Sequence, residues 1–164
     1  MSKPQQTSLA FITITLVAAV CASFAAAASL ALALPVWAMF VGWIAFFSRG
    51  LTTRSTFENL GCVWLGLCIG ALAAVSISLL APSLGLGLAL PTVVFAVALI
   101  VVSLRGLPVL NNLLAYFLGL VAWFAGHLEP SVGGLVLLAS ASAIGSLAGW
   151  ISHNLPQRLI KQAW

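Results

Sequence analysis

From Leu9 to Leu34 the chain runs without one charged side chain, and five further apolar stretches follow it. About 20 apolar residues, with a range of roughly 17–25, is what a helix needs to cross a hydrocarbon core. Charge cannot rescue such a chain for water. Six basic and two acidic side chains make up 5% of its 164 residues, against about 25% in a soluble domain. The chain therefore reads as an all-α integral membrane protein, one membrane domain over residues 1–164. Lys3, the apolar run and the small residues AAAAS resemble a signal peptide. The run far exceeds the roughly 7–15 residues of a signal core, so it reads as a first membrane helix.

The net charge of +4 does not point to nucleic acid, because the basic residues are sparse and unclustered. They sit at the ends of apolar segments, as membrane orientation requires. Cys21, Cys62 and Cys68 lie inside apolar runs without a CxxC spacing, so they read as small hydrophobes. Neither a metal site nor a cofactor is implied.

Charged, Gly and Pro positions divide the chain into six expected spans, near 8–30, 34–48, 57–81, 86–104, 108–126 and 130–153. The second and fifth are short, and each starts just after a Leu-Pro pair, at Pro35 and Pro108. Proline suits a helix start, where its missing N–H had no partner anyway. With a cytoplasmic N-terminus and six alternating crossings, Lys3, Arg49, Arg54, Arg105, Arg158 and Lys161 all fall on the cytoplasmic side. Both tails, 1–7 and 154–164, are then cytoplasmic. Of the two acids, Glu58 lies four residues after Arg54, a spacing for a helical ion pair. Each acid also suits a helix start, where the macrodipole favours a carboxylate. Proton handling, and with His127 a polar mouth, is the sharper alternative for Glu58 and Glu129.

FVGWIAFF, Phe40 to Phe47, and FLGLVAWF, Phe117 to Phe124, both fit Phe-x-Gly-x-x-Ala-x-Phe. A helix carrying Gly66, Gly70 and Ala74 follows the first, and one carrying Ala141, Gly145 and Gly149 follows the second. Each is a small-residue ladder of the kind that lets helices approach closely in lipid. The chain thus divides into two three-helix repeats, about 8–81 and 86–153. Three crossings is an odd number, so the second repeat enters the membrane inverted. Inverted repeats with short, Pro/Gly-interrupted helices are a transporter arrangement, with the solute site where the halves meet.

On a helical wheel Phe40, Trp43 and Phe47 share one face, opposite Gly42 and Ala45. Phe117 and Phe124 likewise oppose Gly119 and Ala122. The smooth faces predict a close crossing of the second helix on the fifth about a pseudo-twofold axis. The bulky faces, with Tyr116 and Trp123 nearby, either narrow a conduit or meet lipid; periodicity leaves both open. Asn111 and Asn112 fall either side of the smooth face of the fifth helix, as interface caps or as the lining of a polar constriction. An unpartnered amide in hydrocarbon costs several kcal/mol.

The pattern VWAMFVGWIAFFSRG, with a Gly-rich helix and later NNLLAYFLGLVAWFAG, resembles a family of bacterial inner-membrane proteins of unknown function that includes YcdZ. The resemblance runs from about residue 34 to 155 and implies the bacterial inner membrane. It brings no catalytic residues with it.

A membrane interior almost free of ionisable groups argues against ion coupling. The expectation is a channel or facilitator for a small uncharged polar solute such as urea, an amide, ammonia or water. An accessory or assembly subunit gripping other membrane proteins through the glycine ladders is the alternative. No HExxH, GxSxG or paired-carboxylate constellation points to an enzyme. A chain this small, with ladders of this kind, is expected to form a homo-oligomer in the bilayer.

Overall fold

The computed structural model describes residues 3–162, with side chains described from Leu9 to Arg158. Residues 1, 2, 163 and 164, and the side chains of Lys3 and Lys161 used in the charge pattern, lie outside the described residues. The described chain is all helical: α1 (Lys3–Ala31), α2 (Val36–Ser48), α3 (Thr53–Leu84), α4 (Leu86–Ser103), a 3-10 turn (Leu104–Gly106), α5 (Leu113–Ala125) and α6 (Val132–Gln162). Four stretches, Leu9–Ala31, Thr53–Leu84, Leu86–Gly106 and Val132–Arg158, have the length and apolarity of membrane spans. α2 and α5 have 13 residues each. At about 1.5 Å per residue each reaches about 20 Å, short of a hydrocarbon core of about 30 Å.

Helix boundaries follow local capping chemistry. Pro35 precedes α2 as expected, and its carbonyl accepts from the Ala38 and Met39 amides at 3.0 and 3.2 Å. The fifth helix departs from expectation. Pro108 lies in an irregular link, and α5 starts after Asn112, whose side chain accepts from the Ala115 amide at 3.3 Å. An amide that can bond a free N–H outweighs a proline that merely tolerates a helix start. α3 starts at Thr53 rather than near 57, because Thr52 and Ser55 form a reciprocal capping box with bonds of 3.1 and 2.9 Å. The expected C-terminal tail from 154 is instead helical as far as Gln162. α3 passes to α4 through Gly85 alone, at φ 72° and ψ 153°, a region open in practice only to glycine.

The packing overturns one expectation outright. The smooth faces of α2 and α5 do not close on each other: α2 lies on α6 and α5 lies on α3, while α2 and α5 touch less. A Cβ on Gly42 would overlap the Ser142 carbonyl, and one on Gly145 would overlap the Met39 carbonyl. On the other side a Cβ on Gly119 would meet the Val63 carbonyl, and one on Gly66 the Tyr116 carbonyl. Gly149 then seats Phe46, as Gly70 seats Trp123. Position for position the two crossings match, at a separation of 77 residues between α2 and α5 and of 79 between α3 and α6. Gly66 thus answers to Gly145 and Gly70 to Gly149, one turn away from the pairing the ladders suggested. A ladder with a four-residue period fits itself at any four-residue shift, so sequence alone cannot fix the register.

Outside these crossings, α1 packs on α6, α4 packs on α3, and α3 meets α6 centrally. Hydroxyls at depth mostly bond back along their own helix, as Thr13, Thr15, Ser76 and Ser142 do at 2.8–2.9 Å.

Replacing Gly42, Gly66, Gly119 or Gly145 by Ala inserts a methyl into a neighbouring backbone. Overpacking costs about 1–3 kcal/mol even where side chains can yield. Each variant should unfold several degrees below the wild type in detergent, followed by tryptophan fluorescence. Gly87, whose Cβ would meet nothing within 4 Å, should accept Ala without loss.

Candidate functional site: a polar node and its apolar counterpart

The aromatic residues marked as pathway candidates separate into two groups. Phe40, Phe47, Phe117 and Phe124 face outward, 42%, 45%, 38% and 45% exposed. Trp43 is half-buried, while Tyr116 and Trp123 are core residues. The bulky faces of the short helices are therefore outer ridges of the chain and do not line an internal conduit. The close-packing set, Gly42, Ala45, Gly66, Gly70, Gly119, Ala122, Gly145 and Gly149, is spent on the two crossings. Glu58 is not brought together with His127 and Glu129, which are exposed in the link at the far end of α5. Nor does Glu129 start a helix: Ser131 caps α6, accepting from the Gly134 amide at 3.1 Å.

What the fold does assemble is a polar node where the end of α2, the start of α3 and the start of α5 converge. Asn59, fully buried on α3, donates at 2.7 Å to the carbonyl of Arg49, the extended residue that follows α2. Asn112, 6% exposed, donates to Ser48 Oγ at 2.6 Å and to Asn59 Oδ1 at 2.8 Å. Around this amide pair, Arg49 Nη2 donates to Glu58 Oε2 at 2.9 Å and to the Val109 carbonyl at 3.2 Å. Arg54 completes the expected i,i+4 pair with Glu58 Oε1 at 2.8 Å. Tyr116 Oη donates to the Leu110 carbonyl at 3.1 Å, holding the irregular link against α5. Two guanidinium groups share one carboxylate, which leaves the node with a positive charge to spare.

Of the two asparagines flagged from sequence, Asn112 is the buried cap at the centre of this network. Asn111 lies just outside the helix, and its buried Oδ1 has no hydrogen-bond partner within the chain. Sequence reasoning missed Ser48, Arg49 and Asn59. The available signal was Asn59 itself, an amide one residue beyond Glu58 at the head of the apolar run Leu60–Val75. Among the described residues there is no group of three or more His, Cys, Asp or Glu able to hold a metal ion.

The matching of the two crossings supplies a counterpart to the node at the opposite end of the bundle. Ser48, Arg49, Glu58, Asn59 and Asn112 correspond there to Ala125, Gly126, Leu137, Leu138 and Pro35. Pro35, Gly126, Leu137 and Leu138 line a cavity of about 400 Å³, together with Leu34 and Trp37. Where one end carries an arginine bonded across to a carboxylate, the other has a glycine and open space. One end is latched and polar; its counterpart is unfilled and apolar.

A family model matches residues 12–157, that of a family described as protein of unknown function DUF1097. The chain belongs to this family. No curated protein and no solved structure matches it. Membership of DUF1097, a family of unknown function, assigns no chemistry to the node.

Exposure separates the two ion pairs. The Arg54 side chain is 80% exposed and that of Arg49 33%, against 16% for Glu58. Exposed i,i+4 pairs contribute about 0.3–0.5 kcal/mol, whereas a hydrogen bond to a charged group contributes about 1.5–3 kcal/mol. Arg49→Gln should therefore lower the unfolding temperature in detergent clearly more than Arg54→Gln, and added salt should erase only the smaller effect.

Proposed function

We propose that this protein is a facilitator for small uncharged hydrogen-bonding solutes, of the size and chemistry of urea, simple amides, ammonia or water. The carrying observation is the Asn59–Asn112 amide pair, buried in an apolar helix bundle and latched by Arg49 and Glu58. Each amide presents both donor and acceptor, so the pair offers a urea-like solute the kind of bond that Asn112 now makes to Asn59. The latched node is the closed inner mouth of the path, and the cavity beside Gly126 is its outer mouth.

Two features support an inverted-repeat path. Contacts climb together along each crossing: Met39 meets Gly145 and Phe46 meets Gly149, while Tyr116 meets Gly66 and Trp123 meets Gly70. α2 and α6 thus run in the same sense, as do α5 and α3, which is the outcome of a three-helix unit followed by an inverted copy. The short helices occupy the places that broken or shortened helices take in inverted-repeat transporters. The node also gathers one end of the bundle: Arg49 reaches Val109, near Arg105, and Trp150 on α6 donates to Thr53 Oγ1 at 3.1 Å. That end carries Arg49, Arg54, Arg105 and Arg158, which supports six crossings with both termini cytoplasmic, in a bacterial inner membrane.

The glycine ladders are occupied inside the chain, so a homo-oligomer would assemble through the outer phenylalanine ridges of α2 and α5. Those ridges also favour the second reading, an accessory subunit that grips a foreign membrane protein. Recovery of one stoichiometric foreign subunit, lost on Phe40→Ala/Phe117→Ala, would establish it.

Stopped-flow swelling of proteoliposomes tests the facilitator reading. Arg49→Gly copies the residue at the counterpart position, Gly126, and should raise permeation of at least one of urea, ammonia, glycerol and water above wild type by about tenfold or more. If both proteins match empty vesicles for all four solutes, the reading fails. Orientation is tested separately: reporter fusions after Ala33 and His127 should be active only outside the cytoplasm, and a fusion after Arg105 only inside it.

A further inference from the structure

On the outside of the bundle, two cavities lie along the seam between α3 and α6, and a third lies beyond them on α6. The largest, about 510 Å³, is walled by Phe57 and Trp64 on α3 and by Ala143 and Trp150 on α6. Trp150 also lines a small cavity of about 100 Å³ that ends at Asn154 and Arg158. Trp64 opens at the other end onto a cavity of about 210 Å³ beside Leu135 and Ala139. Trp64, donating to the Ala139 carbonyl and Ser142 Oγ, and Trp150, donating to Thr53 Oγ1, reach across the seam between neighbouring cavities. The three thus make an apolar groove interrupted by two indoles, with a cation at one end.

We propose that this groove binds an anionic phospholipid of the leaflet on the Arg158 side, with its phosphate at Arg158 and Asn154 and an acyl chain between Phe57, Trp64 and Trp150. The length fits. From Ala143 to Arg158 the helix rises about 22 Å at 1.5 Å per residue, half of the roughly 40–45 Å of a bilayer with its headgroups. The charge fits as well: both ion pairs among the described residues belong to Glu58, with Arg49 and Arg54, and neither engages Arg158, which lines the small cavity. The internal correspondence sharpens the case. Trp150, Asn154 and Arg158 recur every four residues on one face of α6, whereas their counterparts on α3 are Ala71, Val75 and Leu79. The cavity near Trp64 and Leu135 is the apolar counterpart of the large one, and its end of the bundle lacks a headgroup cation. A second copy of the chain is the competing occupant, since Gly61, Ala143 and Ser146 also line this slot and small residues favour helix-on-helix contact in lipid; the basic head of the groove favours the lipid.

The test uses the delipidated full chain, titrated with phosphatidylglycerol and with phosphatidylcholine of identical acyl chains, read by native mass spectrometry and by unfolding temperature. A basic side chain near the surface should favour the anionic lipid about fivefold. Arg158→Gln should abolish the preference, while Arg105→Gln, the same charge loss outside the groove, should leave it intact. Ala143→Trp, which fills the groove, should weaken binding of both lipids. Equal binding of the two lipids by wild type overturns the proposal, as does a preference that survives Arg158→Gln or is lost equally in Arg105→Gln. So does a lipid-independent dimer that Ala143→Trp splits, which would give the groove to a second copy. None of these readouts depends on solute transport, so the lipid site and the facilitator reading stand or fall separately.

Discussion

Backbone meeting backbone at four glycines is what the rest of this structure depends on. Lipid tails are as apolar as leucine, so no hydrophobic gain pulls one membrane helix onto another; close van der Waals contact has to supply the attraction. Gly42 and Gly145 bring α2 within reach of α6 carbonyls and the reverse, and Gly66 and Gly119 do the same for α3 and α5. Because each crossing joins a short helix of one half to a long helix of the other, the halves interlock and do not form separate bundles. That interlock decides where everything else lies. It seats Phe46 and Trp123 in the core, turns the phenylalanine ridges outward, and carries the end of α2 to the start of α5.

The node follows from that convergence. A 13-residue helix ends inside the protein, so its last carbonyls need donors that water supplies elsewhere. Asn59 provides one for Arg49, the first residue past the helix, and Asn112 fixes Asn59 in turn. An isolated amide at this depth would cost several kcal/mol; paired with Ser48, a main-chain amide and each other, the two are satisfied. Their structural role and the proposed solute chemistry rest on the same property, an amide's balanced donors and acceptors.

How much of this could be read from the sequence depends on the kind of signal. Apolar runs and their breaks located six helices, because desolvation of the backbone leaves a lipid-exposed segment no other fold. The Phe-x-Gly-x-x-Ala-x-Phe motif separated a bulky face from a smooth one, since that is fixed by periodicity alone. What each face touches was beyond reach: the smooth faces were paired with each other, and they meet α6 and α3. Arg49 and Asn59 are ten residues apart across a helix break, and Asn112 is a further 53 residues on. No local spacing announces that contact. Pro108 misled for a related reason, since a capping side chain three residues upstream of the amide it serves defines a helix start more strongly than a permissive ring.

The two crossings act as controls for each other, and this separates packing from function better than burial alone. Where both members of a corresponding pair are alike, as with Gly42 and Gly119 or Ala45 and Ala122, the shared crossing accounts for them. Where they diverge, the scaffold is not the reason. Nothing in the crossing asks for Arg49 when Gly126 serves at the other end, or for Asn59 when Leu138 is equally buried there. The same holds for Arg158 against Leu79. The departures from symmetry gather at one end of the bundle, in the node and at the head of the α3–α6 groove. They are polar additions that the two glycine crossings do not call for, and chemistry in this chain is to be sought where they are.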